Sequence, residues 1–304
     1  MSKVLCLGDS CADIIIPYGE SLVKEVEVTF SCGGACANSA VFLGKFNVNT
    51  AFCGKAGKDI YGLKMLKEFK ENGVDTSYFD LDPDLVTTQI LVVIDENNDR
   101  HPFLMPKKEP SYLAIHEDDL NTIDLKDTEY ILTNGMMLFD EPAASSILSF
   151  LQKAHEKGIR ILLDLNFRNE TGNKDRKYLN RVIALTDYLL GSVEDDILFI
   201  TGKKDIHEAL NTLNNQVVIA HNEHGAYYKA NNEISFVEGY KVQIKDTLGA
   251  GDVFNAGFIY GLVHQCSLHD CLKYANAAAA LSITKSGARN APAEKELLEF
   301  LGNQ

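Results

Sequence analysis

The chain has 304 residues, 45% of them hydrophobic, with no apolar run near the roughly 18 residues that a membrane-crossing helix needs. It can therefore bury a large core, and one large domain with at most a small appendage is expected. A formal net charge of −14 and the lack of a basic stripe exclude a nucleic-acid surface and leave any anionic substrate to be held by local donors.

In chain order, Val4 to Leu7 reads as a buried strand that runs into Gly8-Asp-Ser-Cys. No signal-peptide core or Arg-rich transit segment precedes it, so a cytoplasmic address is expected. Asp13 to Phe30 passes through Ile14-Ile-Ile, a Pro-Tyr-Gly turn and Glu25-Val-Glu-Val-Thr-Phe, whose alternation predicts a strand with one wet face. A helix is predicted over 35–45, and Gly54 to Gly62 reads as a loop capped by Asp59 before a second helix over 62–72. Gln89 to Ile94, a turn at 96–99 and Arg100 to Met105 predict a hairpin. Buried strands at 131–132, 159–165, 188–190 and 217–220 then alternate with helices over 141–157, 175–185 and 206–213. That rhythm predicts an α/β fold with a mostly parallel sheet covered by helices on both faces. The two interruptions, 13–34 and 87–105, predict a small antiparallel β lid standing off a main domain of residues 1–12, 35–86 and 106–304. An open edge on so small a sheet predicts pairing with its copy in a homodimer.

Seven cysteines, none in Cys-x-x-Cys spacing, read as reduced, buried or idle thiols rather than a zinc site. The informative motifs lie elsewhere. Ser31-Cys-Gly33-Gly34-Ala-Cys-Ala-Asn38 puts a double glycine at a strand-to-helix junction, where a ligand can approach backbone, with an amide one turn later. An ordinary turn with a solvated Asn fits the same residues. Asp164-Leu-Asn166-Phe-Arg168 ends an apolar strand, where ligand sites of open α/β sheets lie. There Arg168 suits a bidentate anion contact or a surface ion pair.

The stretch Asp246-Thr247-Leu-Gly249-Ala250-Gly251-Asp252-Val-Phe254, followed by apolar residues at helical spacing, reads as an anion-binding turn feeding a helix. Unpaired N–H groups and the helix dipole favour a phosphate there. A carboxylate at Asp252 is out of place in a plain phosphate cradle, and a base for an attacking hydroxyl explains it.

Together, Gly33-Gly34 with Asn38, Gly57-x-Asp59-x-x-Gly62, Asp164-x-Asn166-x-Arg168 and Asp246-Thr247-x-Gly249-Ala250-Gly251-Asp252 resemble the ribokinase-like, or PfkB, carbohydrate kinases, in order from residue 8 to Ala288. The resemblance implies a three-layer α/β/α fold and ATP-dependent phosphorylation of a hydroxyl, usually primary, on a small sugar. It implies Asp252 as base and the amides of Gly249, Ala250 and Gly251 as anion hole. Asp13, Gly33, Gly34, Asn38, Asn166 and Arg168 match acceptor positions, and Ser192, Asn222, Gly225, Thr247 and Asn276 match nucleotide positions. Asp246, with the Lys285-Ser-Gly287-Ala288-Arg289 loop, matches a monovalent-cation site for K⁺.

Departures from the family pattern are specific. Where the family has Asn-x-x-Glu to organise Mg²⁺ through water, this chain has Ser192-Val-Glu194-Asp195, which leaves Glu194 and Asp195 as alternatives. Its Gly-x-x-Gly appears as Asn222-Glu-His-Gly225, and an Asn can take the left-handed conformation of the missing Gly. Asp-Leu-Asn-Phe-Arg and Thr87-Thr88-Gln-Ile-Leu-Val with Asn98-Asp-Arg100 resemble the branch acting on ketohexoses or 2-keto-3-deoxy sugar acids, ahead of ribose or nucleoside kinases. A silent sugar or nucleotide sensor is the alternative outside catalysis. A dinucleotide-binding oxidoreductase is disfavoured, because the first strand lacks the Gly-x-Gly-x-x-Gly turn.

Overall fold

Short, mainly apolar stretches become strands buried on both faces. These are β1 (Val4–Leu7), β4 (Thr50–Gly57), β8 (Tyr130–Asn134), β9 (Arg160–Asp164), β10 (Tyr188–Ser192) and β11 (Val217–Asn222). The computed structural model describes residues 3–17, 28–94, 100–105, 109–167, 174–287 and 289–303. Arg168, Ala288, the 96–99 turn and residues 25–27 of the alternating segment lie outside them.

With the edge strand β5 (Asp75–Asp82) and an antiparallel extension of β12 (Gly225–Ala230) and β13 (Glu233–Glu238), the large sheet has the order β13-β12-β11-β10-β9-β8-β1-β4-β5. All pairings from β11 to β5 are parallel. Residues of one strand alternate between two cores: Val4 and Cys6 join Phe42, Phe69 and Phe258, while Leu5 and Leu7 join Ile147, Leu151 and Leu210. One core packs α1 (Ala35–Lys45), α2 (Ile60–Glu71), α8 (Ala250–Val263) and α9 (Leu268–Ser282); the other packs α4 (Ala143–Glu156), α5 (Lys177–Leu185) and α7 (Ile206–Thr212). Helices thus cover both faces, as the alternation predicts.

From β1 the chain builds outward through β4 to β5, then returns to β8 on the other side of β1 and continues to β11. The β1/β8 boundary is the switch point where a crevice opens at the carboxyl ends of the strands. Over it stands a second sheet of order β3-β2-β6-β7, from β2 (Cys11–Pro17), β3 (Thr29–Gly33), β6 (Gln89–Ile94) and β7 (Arg100–Leu104). β2 pairs antiparallel with β3, and β6 with β7, while the inner strands β2 and β6 run parallel.

One local expectation is corrected. Gly54-Lys-Ala-Gly57 is not a loop but the end of β4, paired with Asp80 and its neighbours on β5. Its glycines imitate a turn signal, yet a Cβ at Gly54 would stand 2.8 Å from the Gly8 carbonyl oxygen, so the small residue serves close strand packing. Among the described residues no helix is long and apolar enough to cross a membrane.

Candidate active site

The crevice is organised around a carboxylate that sequence reasoning missed. Asp9, 7% exposed just after β1, accepts the N–H groups of Ala35 (2.9 Å) and Cys36 (3.1 Å) at the start of α1 and the Asn134 amide (2.6 Å) at the end of β8. It caps α1 from a distant part of the chain and ties both strands of the switch point to it. Gly34 makes this approach possible: its φ is +99°, and a Cβ there would lie 2.6 Å from the Asp9 carbonyl oxygen. Gly33 leaves room for the carboxylate of Asp13, whose Oδ2 would be 2.5 Å from a Cβ. The double glycine therefore marks close packing of the β3–α1 junction against the chain that leaves β1 and enters β2. The only hint of Asp9 in the sequence is an acid directly after the first buried strand.

Asn38, 5% exposed one turn into α1, points across to α8. Its Nδ2 donates to Asp252 Oδ2 at 2.7 Å, and the neighbouring Ser39 hydroxyl donates to the Asp252 carbonyl at 3.3 Å. The pairing joins residues 214 apart in the chain, and Asn38 is no solvated turn residue. Behind it, Arg289 Nε donates to Asn38 Oδ1 at 2.9 Å.

At the start of α8, Gly249 is left-handed at φ 76° and ψ 4° and acts as N-cap, with Val253 N–H donating to its carbonyl at 2.9 Å. Half-buried Asp252 stands in the first turn, where the helix dipole favours a carboxylate. The Ala250 N–H donates to the Thr247 carbonyl at 3.2 Å, so among the described residues Gly249 and Gly251 supply the uncommitted amides of the turn. Asp246 braces it: Oδ1 accepts from Leu248 N–H at 3.0 Å and Oδ2 from Gly287 N–H at 2.7 Å.

His221, at the end of β11, is a second residue the sequence did not single out. Its ring lies 4.6 Å from that of Phe254, and a Cβ at Gly251 would be 3.8 Å from its Cε1. Surrounding protein pushes its pKa down to about 4, so the imidazole beside the turn is neutral at physiological pH. Burial also raises the Cys36 thiol well above its ordinary value, with Asp9, Cys6, Asp164 and Asp252 adding to the effect. That thiol is inert.

Other strand ends carry the remaining motif residues. Asn166 is left-handed at φ 41° and its Nδ2 is buried without a hydrogen-bond partner among the described residues; Asp164 is 8% exposed. Of the acidic run after β10, the buried member is Asp196. Its Oδ1 accepts from Phe167 N–H, and its Oδ2 accepts from both the N–H and hydroxyl of Ser192, all at 2.7 to 2.8 Å. Glu194 and Asp195 are exposed. Asn222 is not left-handed: it ends β11 opposite Gly225, and its Oδ1 accepts from His224 N–H at 3.0 Å, so an Asx turn replaces the expected αL residue. Asn276, 6% exposed on α9, gives its amide hydrogens to the carbonyls of Val237 and Glu238 at 3.1 and 3.0 Å, fixing the end of β13. Thr247 is exposed beside the turn. Among the described residues, no group of three or more His, Cys, Asp or Glu could hold a metal.

A family model described as pfkB family carbohydrate kinase matches residues 1–296. A 5-dehydro-2-deoxygluconokinase of Bacillus subtilis (strain 168) is 25% identical over 313 aligned residues, covering 98% of this chain and 95% of the relative. A fructokinase of Vibrio alginolyticus is 27% identical over 317, covering 99% and 100%. Among solved structures, a putative ribokinase II from E. coli in complex with ATP and Mg²⁺ matches with TM-score 0.90 at 24% identity, over 100% of both chains. A double mutant of the Vibrio cholerae O395 fructokinase with fructose, ADP and potassium ion bound matches with TM-score 0.86 at 27% identity, over 99% of this chain and 98% of that one.

Proposed function

Because the chain belongs to the pfkB family of carbohydrate kinases, and is a sugar kinase, we propose that it moves the γ-phosphoryl group of ATP to a primary hydroxyl of a ketohexose or keto-deoxy sugar acid. The observation that carries this reading is Asp252: a half-buried carboxylate in the first turn of α8, oriented by Asn38 at 2.7 Å and flanked by the amides of Gly249 and Gly251. Asp252 takes the proton from the acceptor hydroxyl as its oxygen bonds to phosphorus, the bond from phosphorus to the β-phosphate oxygen breaks, and ADP leaves. The amides of the Gly249-Ala250-Gly251 turn face the charge on the transferring oxygens; Ala250 joins them once its long 3.2 Å bond to Thr247 is released. Little covalent work is asked of the protein beyond alignment and charge stabilisation, and a positioned base contributes about 10²- to 10⁴-fold.

In this reading Asp13, Gly33, Gly34, Asn38 and Asn166 hold the acceptor, and Arg168 takes its hydroxyl cluster or carboxylate. The orphaned, buried Nδ2 of Asn166 supports a ligand partner on that side. Ser192, Asn222, Gly225 and Thr247 line the nucleotide, and Asn276 keeps the β13 wall in place. Mg²⁺, when bound, neutralises phosphate charge. Glu194 and Asp195 fit a water-mediated role because they are exposed, whereas Asp196 is committed to backbone. K⁺ is placed beside Asp246, an oxygen donor held at the turn by the N–H groups of Leu248 and Gly287.

The keto-sugar assignment rests on two relatives of similar likeness, one named a fructokinase and the other a 5-dehydro-2-deoxygluconokinase. An ATP-consumption screen over fructose, 2-keto-3-deoxygluconate, 5-dehydro-2-deoxygluconate, ribose, fructose phosphates and nucleosides tests it. Turnover highest with a keto sugar or keto acid is expected. Highest turnover with ribose or a nucleoside overturns the substrate class, and none with any acceptor favours a silent binding protein.

A further inference from the structure

The Arg289 side chain is nine-tenths buried in the loop that follows α9, yet among the described residues only its Nε makes a hydrogen bond, to Asn38 Oδ1 at 2.9 Å. Its Nη1 lies 3.1 Å from Glu68 Oε2 on α2, a charge contact, and neither Nη atom has a hydrogen-bond partner among the described residues. The loop is held from other sides as well: Lys45 Nζ donates to the Arg289 carbonyl at 2.8 Å, and Asp246 grips Gly287. Burying a guanidinium with most donors unmatched is costly, and packing alone does not call for it.

A guanidinium can only donate, and an ionised carboxylate can only accept. With Arg289 on one side, the carbonyl of Asn38 must face it, and the amide hydrogens must then face Asp252. The reverse flip would set N–H against N–H on one side and oxygen against carboxylate on the other. We propose that Arg289 is a positioning residue for phosphoryl transfer, locking Asn38 in the orientation that presents an N–H to Asp252 and so keeps the base ionised and aimed. The inference rests on Asp252 being the base. Without Arg289 both flips of Asn38 become available, and the flipped carbonyl accepts a hydrogen bond from a protonated Asp252. Protonation of the base is then favoured.

Several groups bear on the charge of Asp252 from the surrounding elements. Ser39 donates from α1 to its carbonyl, and the Cys36 thiol, also on α1, feels it together with Asp9 and Asp164. His221 stands next to Gly251 on the β11 side. Arg289 brings a cation to this group, and Asn38 carries its influence to the carboxylate.

The test compares wild type, Arg289→Ala, Arg289→Lys and Asp252→Asn. It records kcat, KM for ATP and the pH dependence of kcat/KM with the best acceptor from the screen, and a carboxyl ¹³C titration whose Asp252 signal is assigned by its loss in Asp252→Asn. Arg289→Ala is expected to lower kcat about 10-fold or more, leaving KM for ATP within about twofold, as for loss of a charge-assisted contact. The acidic limb of the profile and the Asp252 titration should both move upward by roughly one pH unit. Millimolar guanidinium should restore part of the activity. Arg289→Lys, which keeps a charge opposite Glu68 and hence the fold, should show a smaller shift of the same sign. Unchanged kcat and an unmoved Asp252 titration in both Arg289 variants, with Asp252→Asn inactive, overturn this inference alone. Wild-type kcat in Asp252→Asn overturns the base assignment instead.

Discussion

His221 carries a consequence beyond its place beside the anion-hole turn. Its pKa falls from 6.5 to about 4 because its surroundings disfavour the imidazolium. The unfolded chain therefore binds a proton at this residue below pH 6.5 that the folded chain refuses until about pH 4. Stability from this group is full above pH 6.5 and declines as pH falls through that window. Urea denaturation at pH 7 and pH 5 should show wild type losing more stability than His221→Gln; equal losses would contradict the assignment. Asp252, Asn38 and the Gly249-Ala250-Gly251 turn were legible in the sequence because their residue types are unusual for their local setting. Asp9, Arg289 and His221 were not, because each acts through a partner far away in the chain: Asp9 on the start of α1, Arg289 on Asn38 251 residues earlier, and His221 on a turn thirty positions ahead. Asp196 could not be told from Glu194 and Asp195, since only burial separates the three.

At the scale of elements, α1, α2, α4, α5 and α7 were found to within a few residues because their apolar residues recur at helical spacing, with Asn72-Gly73 and Lys157-Gly158 marking the ends of α2 and α4. β4 was hidden because Gly54-Lys-Ala-Gly57 uses turn residues for close strand packing. Asp59 does cap α2, accepting from Tyr61 and Gly62 N–H groups at 3.0 Å. It also takes the N–H of Thr87 at 2.8 Å and its hydroxyl at 2.7 Å, just ahead of β6, so one side chain fixes a helix start and an entry to the small sheet. Desolvation works against the charge of Asp59, but the N–H groups of Gly62 and Thr87 hold its pKa below the usual value. A contact reaching 28 residues ahead leaves no trace in local spacing. The outer strand β7 presents Phe103 at 54% and Leu104 at 40% exposure, followed by Met105 at 47%. An edge of that character favours pairing, and we propose that it meets its copy in a homodimer. Light scattering at micromolar concentration should give twice the chain mass, reduced to one by Phe103→Lys with Leu104→Lys; a wild-type monomer would contradict it.

For the whole molecule, the alternation of apolar runs and helical stripes was enough to predict a parallel sheet between helices, because most strands buried on both faces read as near-continuous apolar runs. Strand order was not readable, and it is strand order that sets the site. The reversal at β1 and β8 brings Asp9, Asn134 and the start of α1 together, and α8 then meets α1 with Asp252 against Asn38. The resulting crevice carries Asp9 and Asp252 on a chain of net charge −14, so under the proposed reaction a phosphorylated nucleotide would depend on local backbone amides rather than on the overall field. The account stands or falls on one of those carboxylates being the base. Steady-state kinetics of Asp252→Asn with ATP and the preferred sugar should show kcat reduced by at least ~10²-fold with substrate KM within a few-fold of wild type. A kcat near that of wild type would contradict it.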